Sequence, residues 1–133
     1  MRRKKTDFCL FVCGAKKLGS IKKTAIEKAL IKLIGESDGL RYIVIGNTRE
    51  PEKIAYNIAR KHHLPLCIVP ADFEKWGINA EGFRNGRVLS FFSPKKILII
   101  HPEFEEESGI KQIYRWAQNH GADLIVVSGK EKK

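Results

Sequence analysis

Apolar residues in this chain form short continuous runs that alternate with segments of helical periodicity. The run Phe8–Cys13 is apolar at every position, as is typical of a strand buried on both faces of a parallel sheet. Between such runs, apolar residues recur three and four positions apart, which predicts amphipathic helices packed on that sheet. Five strands are predicted, at 8–13, 41–45, 66–69, 96–100 and 123–127. Four helices are predicted between them, at 20–34, 51–60, 82–92 and 108–119.

The alternation of strands and helices predicts an α/β fold, a Rossmann-like three-layer sandwich. Right-handed crossovers would place helices on both faces of about five mostly parallel strands. The 133 residues are expected to form a single domain, 1–133, with basic flexible ends at 1–6 and 129–133. In such sheets, ligands bind beyond the carboxyl ends of the strands. Candidate binding residues are therefore sought in the loops that follow the strands.

Composition narrows the class of protein further. No apolar run approaches the ~18 residues that cross a bilayer, and Phe8–Cys13 is too short for a signal-peptide core. We therefore expect a cytoplasmic protein that does not contact membranes.

Cys9, Cys13 and Cys67 match no zinc-binding spacing and are expected to be buried reduced thiols. We expect no metal and no cofactor, assign no catalytic residue, and leave open both enzymatic activity and homo-oligomer formation.

The net charge of +10 is concentrated in particular parts of the chain. Residues 1–7 contribute +3 and residues 130–133 contribute +2, which leaves +5 for the body. Much of that excess falls in and before the first helix, where Glu27 is the local counter-charge. Such a face attracts phosphates or nucleic acid, and an ordinary solvated helix face explains the same pattern. The cations are Lys16, Lys17, Lys22, Lys23, Lys28 and Lys32.

The loops after the first two strands combine glycines with polar and cationic residues. The glycine loop that opens at Gly14 can present backbone amides and a helix N-terminus to a phosphate, although a plain tight turn explains it equally well. Ser20 stands where a P-loop requires lysine, so we do not expect ATPase chemistry. In the second loop, Asn47 is predicted mainly as a helix cap and Arg49 as an anion contact. The candidate ligand-binding residues are Gly14, Lys16, Lys17, Gly19, Ser20, Gly46, Asn47 and Arg49.

The segment 70–85 after the third strand carries the richest mixture of functional side chains. Asp72 can accept a hydrogen bond from a ribose hydroxyl or hold Arg84, whose planar fork suits phosphate. Trp76 can stack on a base, or seal the loop as a half-buried indole. We expect Asp72 and Arg84 to meet in one crevice. His101, after the fourth strand, is well placed for a ligand, although a polar strand end is its commoner role. These candidates are Asp72, Trp76, Gly77, Gly82, Arg84, Asn85 and His101.

The order of these residues resembles the central signature of the YspA-like branch of the SLOG superfamily. That signature reads Pro-Ala-Asp-aromatic, then Gly, Ala-Gly, Arg-Asn and an apolar residue, and this chain follows it over 70–88. The superfamily includes the Rossmann-like domains of the DNA-processing protein DprA and the LOG-type nucleotide phosphoribohydrolases. The resemblance implies a nucleotide-derived ligand, or nucleic acid, along the carboxyl edge of the sheet. By position, Asp72, Gly77, Gly82, Arg84 and Asn85 take the places of the family's polar set.

Two loops depart from the family pattern. Relatives carry Gly-Gly-Ala-x-Gly-Ala-Asp after the second strand and Pro-Gly-Gly-x-Gly-Thr after the fourth, whereas residues 46–52 and 102–109 here retain few of those glycines. The function we expect is binding of a nucleotide or nucleotide-derived ligand at the sheet edge. One alternative is salt-dependent nucleic-acid binding through the basic first helix and the tails. Another is a nucleotide N-glycosidase activity, which the lost glycines disfavour.

Overall fold

The five apolar runs form a single parallel sheet. The computed structural model describes residues 9–15, 17–36, 40–46, 49–102 and 108–128. The two basic ends predicted to be flexible lie outside these ranges. The strand order is β3-β2-β1-β4-β5, and all neighbours pair in parallel, which confirms the predicted α/β architecture. The strands are β1 (Cys9–Gly14), β2 (Tyr42–Ile45), β3 (Leu66–Ile68), β4 (Lys96–Ile100) and β5 (Asp123–Val127).

Helices connect consecutive strands, as the periodicity predicts. Four of them span three turns or more, and in the third crossover a short helix and a 3₁₀ turn precede the main helix. Within the described ranges, no helix is both long and apolar enough to cross a bilayer. The helices are α1 (Lys23–Glu36), α2 (Glu50–Lys61), α3 (Phe73–Trp76), α4 (Ala80–Phe92) and α5 (Ser108–His120), with the 3₁₀ turn at Gly77–Asn79.

Two predicted helix starts differ from the structure by two residues or more, because local hydrogen bonds take precedence over periodicity. The first helix begins at Lys23 rather than at Ser20, since the backbone N–H of Ile21 donates to the carbonyl of Leu18 in a turn that precedes it. The connection after β3 is mostly helical rather than a loop. Asp72 caps α3 there, and α4 then begins at Ala80, two residues before the predicted start.

The sheet separates two apolar cores. Side chains alternate across β1, so that Leu10 and Val12 pack under α1 and α2, while Phe11 and Cys13 pack under α4 and α5. The thiols follow the prediction in part, because Cys9 and Cys13 are buried and Cys67 is partly buried. Both faces are therefore covered, as a parallel sheet requires.

The strand order changes direction between β1 and β4. From β1 the chain moves outward through β2 to β3, and it then returns to the other side of β1 as β4. Gly14 pairs with Ile100 at this point, and a Cβ on Gly14 would overlap the Ile100 carbonyl oxygen. The crossovers on the two sides of this point run over opposite faces, which leaves a crevice at the carboxyl edge.

Candidate functional site

A cavity of about 690 Å³ opens at the carboxyl end of β1. Its floor includes Cys13 and Gly14 of β1, and its walls come from the starts of three helices. It lies on the α4 and α5 face, beside the point where the strand order reverses. Its charged and polar lining comprises Arg49 and Glu52 of the α2 start, Asn79, Glu81, Arg84, Asn85, Arg87 and Ser90 of the α4 region, and Gln112 of α5.

Arg49 is held in the cavity wall rather than on the surface. The residue is 7% exposed, and Nη1 donates to the carbonyl oxygen of Gly14 at 2.8 Å. The other edge of the guanidinium faces Glu81, where Nε donates to Oε2 at 2.8 Å and Nη2 donates to Oε1. The backbone N–H of Arg49 donates to Oε1 of Glu52 at 2.9 Å and so caps α2. These bonds join the start of α2 to β1 and α4.

Arg84 is buried more deeply, at 4% exposure, and contacts groups from three elements. Nη1 donates to the carbonyl oxygen of Val69 at 3.2 Å, and Nη2 lies 3.9 Å from Oε2 of Glu52. Its guanidinium lies directly against Gly46. A Cβ at Gly46 would overlap Nη1 and would come within 2.7 Å of the Glu52 carboxylate. The predicted ligand residue Gly46 is therefore required by the close approach of Arg84.

Asn85 is oriented by its neighbour. Nε of Arg84 donates to Oδ1 of Asn85 at 2.9 Å. Because a guanidinium N–H can only donate, the amide atom that faces it must be the oxygen, and Nδ2 points the other way. Gly109 lies in the first turn of α5, and a Cβ at that residue would lie 3.4 Å from Nδ2. Among the residues that the structure describes, this donor has no hydrogen-bond partner, although Asn85 is only 5% exposed.

The expected meeting of Asp72 and Arg84 is wrong. Asp72 is exposed and caps α3, where its carboxylate accepts from the backbone N–H of Lys75 at 3.1 Å. The carboxylate beside Arg84 belongs to Glu52 instead. The physical reason is local, because the amides of a first helical turn are the nearest donors to a carboxylate at the cap position.

Trp76 lies in an exposed aromatic cluster at the rim of the cavity. Its ring packs on that of Phe83, with centroids 4.2 Å apart, and the Lys75 ammonium lies 5.2 Å from the indole centroid. Ile78 is 97% exposed. Phe83 and Ile78 line the cavity, so its mouth has an apolar side. Trp76 is 42% exposed, so its indole stays accessible at the rim.

The structure brings together only part of the predicted set. Gly14, Arg49, Gly82, Arg84 and Asn85 line the cavity, and Gly46 supports it. Lys16 and Asn47 lie outside the described residues. His101 is buried and extends the β4 edge, its N–H donating to the Val127 carbonyl at 3.0 Å. The residues absent from the cavity lining are Lys17, Gly19, Ser20, Asp72, Trp76, Gly77 and His101.

Sequence reasoning missed Glu52 and Glu81 as members of the site. Both lie near helix starts, where acidic residues are common because they favour the positive end of the helix. The one available signal was the position of Glu52, three residues after Arg49, which is typical of a helix cap and indicates no ligand. Their contacts with arginines come from the tertiary arrangement.

Of the residues that the structure describes, three arginines and two glutamates line the cavity, and their formal charges sum to +1. Among the described residues, no group of three His, Cys, Asp or Glu side chains could hold a metal ion.

Burial, together with the nearby Cys9 thiol, raises the pKa of Tyr42. Tyr42 begins β2, at the opposite edge of the sheet, so this shift does not act on the cavity.

Comparison of the chain with protein-family models, curated proteins and solved structures finds no match. The resemblance to the SLOG superfamily therefore stays a prediction from the sequence. A function is therefore inferred from the geometry and charge of the cavity.

Proposed function

We propose that this protein binds a nucleotide or a nucleotide-derived ligand, with an anionic group of the ligand placed against Nδ2 of Asn85, beside the start of α5. The observation that carries the proposal is the Nδ2 donor of Asn85. Among the described residues Nδ2 has no acceptor, and Asn85 lines an open cavity through which a ligand can reach it. Such a donor suits an anionic acceptor, because a hydrogen bond to a charged group contributes about 1.5–3 kcal/mol.

The surroundings of Asn85 favour an anion as that acceptor. The first turn of α5 contributes Gly109 and Ile110 to the cavity lining, and backbone N–H groups at a helix N-terminus attract negative charge. Gly109 offers no side chain that would block the approach of a phosphate. Arg87 adds a further cation to the same wall.

The mouth of the cavity suits a planar apolar group. Phe83 lines the mouth with its ring packed on Trp76, and aromatic faces stack on nucleobases. The volume of about 690 Å³ falls in the range of ~300–1,000 Å³ that is usual for small-molecule sites. A nucleotide combines the anionic group that suits Asn85 and the start of α5 with the planar group that suits the mouth of the cavity.

Replacing Asn85 by aspartate tests the proposal while sparing the fold. The new carboxylate still accepts from Nε of Arg84, but it turns a negative oxygen toward the ligand's phosphate in place of a donor. We expect wild-type protein to gain thermal stability with millimolar AMP or ADP, and Asn85→Asp to bind at least about tenfold more weakly. Differential scanning fluorimetry and calorimetric titration would measure both.

The matched control is Asn57→Asp, the same change at an exposed position of α2. It should respond to nucleotides as the wild type does. The proposal is wrong if no mono-, di- or cyclic nucleotide stabilises the wild-type protein, or if Asn85→Asp binds as tightly as the wild type.

Nucleic-acid binding is a second candidate, favoured by the exposure of the lysines around α1. Lys17, Lys22, Lys23, Lys28 and Lys32 are all solvent-exposed. Because α1 packs on the face opposite to the cavity, this surface is separate from the proposed nucleotide site. The two functions can therefore be tested independently.

If the lysine surface binds nucleic acid, the double variant Lys28→Gln/Lys32→Gln should weaken binding and flatten its dependence on salt. Each lost phosphate contact is expected to reduce the slope of log K against log salt by about 0.7–0.9. Lys53→Gln/Lys61→Gln, two exposed positions on α2, is the control. An unchanged slope in fluorescence-anisotropy titrations, or no binding at low salt, would exclude this surface.

A further inference from the structure

We propose that the cavity contains a second anion subsite, at Arg49, which the carboxylate of Glu81 occupies in the absence of ligand. A ligand with two anionic groups would displace Glu81 from Arg49. This inference rests on the proposed function, since it concerns the same cavity. It identifies the ligand class as one bearing a second phosphate or a carboxylate, such as a nucleoside diphosphate.

The Arg49 guanidinium is positioned as a receptor for such a group. Nη1 is bound to the carbonyl oxygen of Gly14, which fixes the plane of the guanidinium. The Nε and Nη2 edge faces Glu81 and donates to both carboxylate oxygens. This paired geometry is the one in which arginine binds carboxylates and phosphates alike. Glu81 therefore shows where a ligand oxygen pair would lie.

Of the two partners, Glu81 is the one that can move at low cost. Arg49 is anchored to β1 and caps α2, a helix with six buried residues. Glu81 is the second residue of α4, next to the buried Ala80, and the preceding α3 and 3₁₀ turn bury no residue. Release from Arg49 therefore needs only a rotation of the Glu81 side chain toward solvent, to which it already has access. The helix and the sheet stay in place.

Replacement of Glu81 by a ligand anion leaves the charge around Arg49 unchanged. Arg49 keeps an anionic partner throughout, first Glu81 and then the ligand, so no buried guanidinium loses its counter-charge. The released carboxylate belongs to a side chain that already has partial solvent access, 17% against 8% for Arg49. Competition by Glu81 would weaken the contact between Arg49 and the second anionic group of a ligand. Ligands with a single anionic group would be less affected.

The decisive variant is Glu81→Gln, which keeps the size of the side chain but removes its charge. We expect about a tenfold gain in ADP affinity, from relief of a charge-assisted contact, and a smaller gain for AMP. Adding Arg49→Lys should abolish the gain, because an ammonium cannot reproduce the paired hydrogen bonds. Glu74→Gln is the control, since Glu74 is an exposed acid of α3 that undergoes the same change of charge.

Calorimetric titration with ADP, AMP and inorganic phosphate distinguishes the outcomes. If wild-type protein binds nucleotides and Glu81→Gln gains nothing for ADP, the inference is overturned and the proposed function stands. If Glu81→Gln binds ADP through Arg49 and Asn85→Asp has no effect, the inference stands, whereas the anion contact proposed at Asn85 fails. If neither form binds any of the three probes, both fail. Should Glu81→Gln not fold, Glu81→Asp decides in its place, because its shorter side chain withdraws the carboxylate from Arg49.

Discussion

Replacing Gly46 by alanine is expected to lower the free energy of unfolding by about 2–4 kcal/mol. The added methyl group would overlap Nη1 of Arg84 and lie 2.7 Å from Oε2 of Glu52. Arg84 has little room to give way, because it is buried and bound to Val69 and Asn85. The alanine would therefore separate a buried ion pair rather than shift a surface side chain. Urea denaturation would measure the loss.

Gly35→Ala is the matched control for this prediction. Gly35 lies in α1, and no atom of the described residues would come within 4 Å of a methyl group there, so alanine should raise stability by up to about 1 kcal/mol through helix propensity. A loss below about 1 kcal/mol for Gly46→Ala would show that Arg84 can repack, and would contradict the rigid arrangement inferred for this wall of the cavity.

Arg84→Met is expected to have the larger effect, a loss of about 3–5 kcal/mol. Methionine fills part of the volume, but the buried carboxylate of Glu52 loses the guanidinium 3.9 Å away, and the Val69 carbonyl loses its donor. Asn85 also loses the bond that orients its amide. We therefore expect nucleotide binding to weaken together with stability, because the Nδ2 donor is no longer held toward α5.

A double-mutant cycle separates the coupling free energy of the Arg84–Glu52 ion pair from the free energy lost with the packing of Arg84. Glu52→Gln removes the charge but keeps an oxygen that can accept from the N–H of Arg49. The two substitutions combined should cost less than the sum of the single losses, by about 1 kcal/mol or more. Arg87→Met, an exposed arginine on the same helix, should change stability by no more than about 0.5 kcal/mol. Simple additivity of Arg84→Met and Glu52→Gln would show that the pair is not coupled.

The buried arginines of this cavity contribute both to the stability of the fold and to the proposed ligand binding. Arg49 and Arg84 join β1, α2 and α4 at the sheet edge, and the same bonds fix the groups that face the cavity. Pre-orientation of this kind lowers the cost of binding, because fewer side chains must be ordered when a ligand arrives. Stability and binding are therefore expected to change together at Arg84 and separately at Asn85 and Glu81.

The sequence by itself determined the fold class and most of its elements. Continuous apolar runs identify strands buried on both faces, and β4 and β5 lie at the predicted residues, 96–100 and 123–127. Helical periodicity located α2 and α5 to within one residue at each end. The order of residues around Arg84 and Asn85 also directed attention to the segment that lines the cavity. These features depend on local pattern, which a sequence carries directly.

The tertiary structure alone decided which charges meet. Arg49 pairs with Glu81, 32 residues away, and Arg84 lies beside Glu52, whereas the nearer Asp72 caps a short helix. A guanidinium can reach any carboxylate that the fold brings within a few ångströms, so spacing along the chain does not select its partner. The selection follows from how α2 and α4 meet at the carboxyl edge, which is set by packing on opposite faces of the sheet.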